Sequence, residues 1–102
     1  MKITYTFNGR EVQIGNITAS SWPKIVIELI NGYFISVNVD SSTFNIEEKN
    51  FGVIAKVYNI KDTIEILREV SGLKEVALAA VEAAMRKEHD YLTNPGRCII
   101  IC

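Results

Sequence analysis

Apolar residues recur at helical spacing between Ser71 and Leu92, and this is the clearest pattern in the chain. The stripe comprises Leu73, Val76, Ala77, Ala80, Val81 and Ala84. Residues three and four positions apart share one face of a helix, so the stripe predicts a long amphipathic helix. Ser71 is suited to cap its first turn, and Asn94-Pro95-Gly96 ends it.

Strict alternation at the start of the chain predicts a β-hairpin. Apolar and polar residues alternate over residues 2–7 and again through Val12 and Ile14. Asn8-Gly9 lies between the two runs, and both residues tolerate a positive φ, as a tight hairpin turn requires. The second strand is predicted to end at Gly15-Asn16.

Residues 20–30 can be interpreted in two ways. Ser20-Ser21-Trp22-Pro23 is typical of a helix start, and helical spacing follows at Trp22, Ile25, Val26, Leu29 and Ile30. We predict a helix that ends at Asn31-Gly32, because strand alternation fails at Val26 and Ile30. The alternative is a strand over residues 24–30, with Asn31-Gly32 as its hairpin turn.

The run 33–39 alternates and predicts a strand under either interpretation. Tyr33, Ile35, Val37 and Val39 are expected to face the core, with Ser36 and Asn38 on a partly wet face. The polar residues 40–50 are predicted to be a connector, of which 43–46 dip into the surface.

Shorter patterns complete the second half of the chain. Residues 52–60 predict a strand and 59–62 a turn, whereas 63–70 suits either a second strand or a short helix. The run from Cys98 to Cys102 has no polar alternation and predicts an interior strand.

The two halves show the same order of predicted elements, namely a hairpin, a serine-capped helix and an apolar strand. When the two halves are aligned with an offset of half the chain, Ser20 aligns with Ser71 and Ile25 with Val76. The aligned residues agree in class rather than in identity. We therefore predict an α+β domain of two diverged ββαβ motifs, residues 1–50 and 51–102. The motifs would pack about a pseudo-two-fold axis around one shared core, because each is too small to bury its apolar face alone.

Composition and charge narrow the functional classes. The 102 residues suit a single domain, with 48% hydrophobic residues, 23% charged residues and a net charge of −1. Charges of both signs are interspersed, so a nucleic-acid partner is not favoured. No secretory signal is recognisable, and no apolar run reaches the roughly 20 residues that span a bilayer. We expect a cytoplasmic protein that does not bind membranes.

Residues with catalytic or metal-binding chemistry are sparse. His89 and Asp90 are adjacent on the predicted helix and point in different directions, so they do not predict a catalytic pair. Cys98 and Cys102 would lie about 13 Å apart along a strand, too far for a disulfide with each other and without the spacing of a metal site. We expect no catalytic residues, no metal and no cofactor, and therefore no enzyme.

The isoleucine-rich segments Lys24-Ile25-Val26-Ile27 and Cys98-Ile99-Ile100-Ile101-Cys102 give the chain a resemblance to a class of viral proteins. It resembles the small orphan proteins of filamentous viruses that infect hyperthermophilic archaea, of the lipothrixvirus kind. The resemblance implies residence in the host cytoplasm and partners among viral or host proteins. It also implies that Cys98 or Cys102 could form a disulfide between chains, since hyperthermophile interiors tolerate disulfides.

The predicted duplication creates a groove between the motifs, which suggests a protein-interaction module that binds a peptide or partner segment there. The candidate peptide-binding residues are Phe34, Ser36, Asn38, Phe44 and Phe51, although core packing is the alternative role for the aromatic ones. A nucleic-acid-binding protein that uses Arg10 and Lys61 is the alternative function. Leu78 and Met85, outside the helical stripe, either contact the same domain or form a homodimer surface.

Overall fold

A computed structural model describes residues 1–93 of the chain, with the side chains of residues 1–18 and 22–90. Within residues 1–93, six strands precede two helices. Their bounds are β1 Lys2–Phe7, β2 Arg10–Ser21, β3 Lys24–Leu29, β4 Tyr33–Asn38, β5 Thr43–Glu48, β6 Gly52–Val57, α1 Ile60–Val70 and α2 Glu75–Thr93.

The strands form one antiparallel sheet in which each strand pairs with its neighbours in sequence, in the order β1 to β6. Helix α1 contacts β5 and β6, and α2 contacts β1 and β2. Both helices contribute to a single hydrophobic core with one face of the sheet. The opposite face is called the open face below.

Successive turns of such a sheet alternate between its two ends. The Gly32 end holds the turns at residues 8–9, 30–32 and 49–51, and the Ser42 end holds those at 22–23 and 39–42 and the start of α1. Tyr33 Oη donates a hydrogen bond to the Val70 carbonyl at 2.9 Å, so α1 ends at the Gly32 end. Helix α2 returns to the Ser42 end, where His89 stacks on Phe44 with 6.1 Å between ring centroids.

Strand alternation builds the sheet side of the core. On β3, Ile25, Ile27 and Leu29 are buried, whereas Lys24 and Glu28 are exposed. On β4 and β5 the same alternation buries Ile35, Val37, Phe44 and Ile46. This period of two residues places every second side chain on the open face.

An arginine connects the two helices near the Gly32 end. Arg68 donates to Glu65 at 2.7 Å and to Glu75 at 2.9 Å. The hydrogen bond from Arg68 lowers the pKa of the Glu75 carboxyl. The hydrogen bond to Glu75 and, to a smaller extent, the one to Glu65 raise the pKa of Arg68. All three side chains are well exposed, so the contribution of these ion pairs to stability is small.

The helix predicted for residues 20–30 is wrong, and the strand alternative is confirmed by β3. Val26 and Ile30 break the simple alternation, but Val26 lies on the open face and Ile30 is 67% exposed in the following turn. Neither residue needs a helix to bury it. The turn before β3 contains a cis peptide bond between Trp22 and Pro23.

The connector predicted for residues 40–50 is also wrong, because β5 occupies most of it. The side chains that β5 places on the open face are polar or acidic, so the sequence pattern did not reveal that Phe44 and Ile46 alternate with them as buried residues. The ambiguity over residues 63–70 is resolved as helix α1. Asn59 caps α1 by accepting from the Asp62 amide at 2.7 Å.

The long predicted helix exists but starts later, and its buried face includes Ala77 and Val81 of the predicted stripe together with two residues outside it. Ser71 is the C-cap of α1 rather than the N-cap of the next helix, and α2 begins at Glu75. Leu78 and Met85 are 1% exposed and belong to the core, whereas Val76 is 48% exposed. The homodimer surface considered for Leu78 and Met85 is therefore occupied by this domain itself.

The predicted pair of ββαβ motifs is contradicted by the order of six strands followed by two helices. The half-chain shift aligns Ile25, a residue of β3, with Val76, a residue of α2. The two halves of the chain agreed in residue class because apolar residues occur both in strands and in helices. One continuous sheet replaces the two motifs and their pseudo-two-fold axis.

Two predictions for the first half of the chain are confirmed. Lys2–Phe7 pairs with β2 across a turn in which Asn8 and Gly9 both have positive φ, and β4 buries the expected face. However, β2 continues past Gly15 to Ser21. The interior strand predicted for residues 98–102 lies outside the described residues.

Candidate functional site

The open face of the sheet holds three of the five predicted peptide-binding residues. Phe34, Ser36 and Asn38 alternate along β4, and all three are half-buried. Strands β3 and β5 flank β4 on either side, so these residues occupy the interior of the sheet face rather than its margin. Among residues 1–93, neither helix belongs to this side of the sheet.

The other two predicted residues lie elsewhere. Phe44 is 2% exposed on the helix-covered face, where its ring stacks on His89. Phe51 is 81% exposed in the turn between β5 and β6, at the Gly32 end. The structure therefore brings Phe34, Ser36 and Asn38 together and separates Phe44 and Phe51 from them.

Phe34 lies between two carboxylates. In the sheet register it pairs with Glu28 on β3 and with Glu47 on β5. Side chains of directly opposed residues in antiparallel strands are neighbours on the same face, with Cβ atoms about 4.5–5.5 Å apart. Glu28 is exposed and Glu47 is half-buried, and both residues flank Phe34 on the open face.

Ser36 orients one of these carboxylates. Its hydroxyl donates a hydrogen bond of 2.9 Å to Glu47 Oε2. The bond draws the Glu47 side chain toward the next residue pair along β4 and leaves its Oε1 as an acceptor for another donor. The row Glu28, Phe34 and Glu47 is called the acidic row below.

A shallow hollow continues from the acidic row toward the Ser42 end. Its volume is about 310 Å³. The lining residues are Lys24, Ile25, Val26, Ser36, Val37, Asn38, Thr43 and Asn45. Hydroxyl and amide groups dominate its accessible side chains, so it offers hydrogen-bond donors and acceptors, and Lys24 adds one positive charge. Two of the predicted residues, Ser36 and Asn38, line this hollow.

Glu28 and Glu47 were not among the predicted site residues. They were missed because β3 was interpreted as a helix and β5 as a connector, so neither was placed beside Phe34. The alternation from Lys24 to Leu29 was the signal that could have identified Glu28. No comparable pattern in the sequence singles out Glu47, whose position depends on the register of β5.

A larger cavity of about 650 Å³ lies at the Ser42 end, between the start of α1 and the last described turns of α2. Its charged lining residues are Lys61, Asp62, Arg86 and Asp90, beside Tyr58 and His89. Arg86 forms an ion pair with Glu82 at 2.8 Å. Charges of both signs balance around this cavity, so it has no preference for an anionic or a cationic ligand.

The two residues of the nucleic-acid alternative do not form one patch. Arg10 begins β2 at the Gly32 end, and Lys61 lies in the first turn of α1 at the Ser42 end. Within the described part of the chain, no cluster of three or more His, Cys, Asp or Glu side chains could hold a metal ion. Neither described helix is long and apolar enough to span a membrane.

Comparison with known proteins yields no match among family models, curated proteins or solved structures. The resemblance to small proteins of archaeal filamentous viruses therefore stays a prediction.

Proposed function

We propose that this chain is a non-enzymatic protein-interaction module whose open sheet face binds an extended, basic segment of a partner protein. The observation that supports this proposal is the acidic row, in which an accessible aromatic ring lies between two carboxylates. The site replaces the groove that was expected between two motifs. It retains Phe34, Ser36 and Asn38 as contact residues.

Arginine is the partner side chain that fits the acidic row best. Its planar guanidinium can stack on the Phe34 ring and present several N–H donors to carboxylates on either side. Lysine would meet the same charges with a compact ammonium and fewer fixed donors. We infer that a partner segment places an arginine over Phe34, between Glu28 and Glu47.

The hollow beside the acidic row suits the backbone and neighbouring side chains of the same segment. Ser36, Asn38 and Asn45 can exchange hydrogen bonds with an extended peptide, and Val26 supplies an apolar contact. Surfaces that combine an aromatic anchor with adaptable polar groups are common in protein recognition. The hollow would therefore add orientation to the charge recognition at the acidic row.

Binding can be tested with two synthetic peptides of alternating arginine and threonine residues, one of which has citrulline in place of every arginine. Citrulline keeps the planar shape but removes the positive charge. We expect fluorescence anisotropy to detect binding of the arginine peptide, and Phe34→Ala or Glu47→Gln to weaken it about two- to fivefold each. Added salt should weaken it further, since both partners of the exposed contact are charged.

Phe51→Ala is the matched control, because it removes an exposed aromatic ring that lies in the turn between β5 and β6 rather than on β4. Ser36→Arg provides a second test, since the new guanidinium would neutralise Glu47 from within the sheet and compete with the peptide. Equal binding of both peptides, or equal loss in Phe34→Ala and Phe51→Ala, would contradict the proposal.

A further inference from the structure

The charges around β4 on the open face differ between its two ends. Glu28 and Glu47 belong to the acidic row, toward the Gly32 end. Lys24 lies at the other end of β3, where it pairs with Asn38 of β4 in the sheet register. It is exposed, and within residues 1–93 no carboxylate forms an ion pair with it. A ligand that lies along β4 would therefore meet negative charge at one end and positive charge at the other.

The positive end of the face coincides with the hollow. Among the described residues that line the hollow, Lys24 is the only charged one. Its other polar lining residues are Ser36, Asn38, Thr43 and Asn45, which are neutral. An acidic group that enters the hollow would therefore approach an ammonium group without meeting a carboxylate of the protein.

Asn38 adds a hydrogen-bond donor beside this ammonium. Its Oδ1 accepts a hydrogen bond of 3.1 Å from the Ser41 backbone amide. The Asn38 side chain is therefore left with its NH2 group, which can only donate. Lys24 and Asn38 are directly opposed in antiparallel strands, so their side chains are neighbours on the same face. Two adjacent donors, one of them charged, suit the two oxygens of a carboxylate.

The distance between the acidic row and this pair of donors sets a spacing. Phe34 and Asn38 are four residues apart on β4, which corresponds to about 13 Å at ~3.3 Å per residue. An extended segment that lies along β4 has the same rise per residue, and its residues four positions apart point to the same side. When its arginine lies over Phe34, the residue four positions away lies beside Asn38 and Lys24.

The intermediate position is unsuitable for an acidic residue. A residue two positions from the arginine would lie over Ser36, whose hydroxyl donates to Glu47 Oε2 at 2.9 Å. This hydrogen bond holds the Glu47 carboxylate near Ser36, and a second carboxylate there would be repelled. The face therefore distinguishes an acidic residue four positions from the arginine from one that is two positions away.

We propose that the hollow is a carboxylate-binding subsite, in which Lys24 and Asn38 bind an acidic side chain of the partner segment four residues from its arginine. This inference rests on the proposed function, because the arginine in the acidic row sets the position of the segment. It specifies the partner further, since the segment carries charges of both signs at a fixed spacing. A segment of basic residues alone would bring a positive charge against Lys24.

NMR titration of the isotope-labelled full-length chain can test the subsite. The peptides consist of threonine with one arginine and, four positions away, either glutamate or glutamine, and each is made in both orders. We expect the glutamate peptide to bind about two- to fivefold more tightly than the glutamine peptide in one of the two orders. It should also shift the side-chain NH2 signals of Asn38. Glutamate placed two positions from the arginine should give no gain.

Variants of the protein separate the subsite from general surface charge. Lys24→Gln should abolish the preference for glutamate over glutamine, and Lys24→Glu should instead favour a peptide with lysine at that position. Lys2→Gln is the matched control, because it removes the same charge from an exposed site on β1, two strands from β3. The preference for glutamate should persist in this control.

Equal binding of the glutamate and glutamine peptides in both orders would overturn the proposal, and so would equal effects of Lys24→Gln and Lys2→Gln. A gain from glutamate two positions from the arginine would also overturn it. These comparisons change only the acidic residue of the peptide, whereas the citrulline comparison changes only arginine. Failure of the subsite and failure of the proposed function are therefore detected with different peptides.

Discussion

Gly15→Ala tests how closely β2 and β3 approach each other. Gly15 pairs with Ile3 on β1 and with Leu29 on β3. A Cβ atom at Gly15 would lie 2.6 Å from the Glu28 carbonyl oxygen and 3.0 Å from Leu29 Cδ2. The first contact is with backbone, so a side-chain rotation cannot relieve it.

The expected loss of stability follows from two opposing effects. Overpacking of this kind costs about 1–3 kcal/mol, because β3 must move away from β2. Alanine recovers about 0.4–1 kcal/mol by restricting the unfolded chain. The midpoints of these two ranges give a net decrease of about 1.3 kcal/mol in the free energy of unfolding, or roughly 5–10 °C in Tm for a domain of this size.

Urea titration monitored by circular dichroism gives the free energy of unfolding for each variant. Gly9 provides the matched control, because its φ is +75° and no atom lies within 4 Å of the position that a Cβ atom would take there. At Gly9 the problem is backbone conformation, so Gly9→Asn should be better tolerated than Gly9→Ala. At Gly15 the problem is space, so Gly15→Asn should be worse than Gly15→Ala.

Unchanged stability of Gly15→Ala would refute the argument from close approach. So would a Gly15→Asn variant that matches Gly15→Ala, since a larger side chain must increase the clash. A reversal at Gly9, with asparagine worse than alanine, would show that the control does not isolate backbone conformation.

Three further predictions concern the helices. Leu67→Ala, at a fully buried site of α1, should lower the free energy of unfolding by about 2–5 kcal/mol in urea titration. Glu69→Ala, at an exposed site of the same helix, should change it by less than about 0.5 kcal/mol. Equal losses in the two variants would contradict the burial of Leu67. Asn59→Ala should cost about 1 kcal/mol by removing the cap of α1, and Asn59→Ser should retain most of it; an unaffected Asn59→Ala would exclude a capping role. Because Arg68 lowers the pKa of Glu75, the ion pair stabilises the fold above the ordinary glutamate value of 4.5 and loses this contribution as the pH falls below it. Glu75→Gln should therefore show a smaller decrease of Tm on acidification than the unmodified chain, and identical acid profiles would contradict this.

The sequence predicted best where one local rule determined the structure. Asn8-Gly9 required a turn, and the alternation of Tyr33 to Val39 required a half-buried strand, and both were right. Residues 24–30 were misinterpreted because isoleucine and valine suit either period over so short a run. Tertiary pairing decided the matter, since β2 and β4 lie on both sides of β3.

The candidate site depended on pairing that the sequence does not display. Phe34 and Ser36 could be placed on a wet face from alternation alone. Only the register of β3, β4 and β5 shows that Glu28 and Glu47 are neighbours of Phe34. For Phe44 the alternative role of core packing was right, although β5 was interpreted as a connector and no predicted strand defined its inward direction.

The order of six strands before two helices has a consequence for synthesis of the protein. Each strand pairs with the one made just before it, so the sheet can form by adding successive hairpins while the chain emerges from the ribosome. Its isoleucine-rich inner face, however, has no cover until α1 and α2 have been made. Nascent chains that stall after β6 would therefore expose this face to other proteins, and we expect them to depend on chaperones more than the completed chain does.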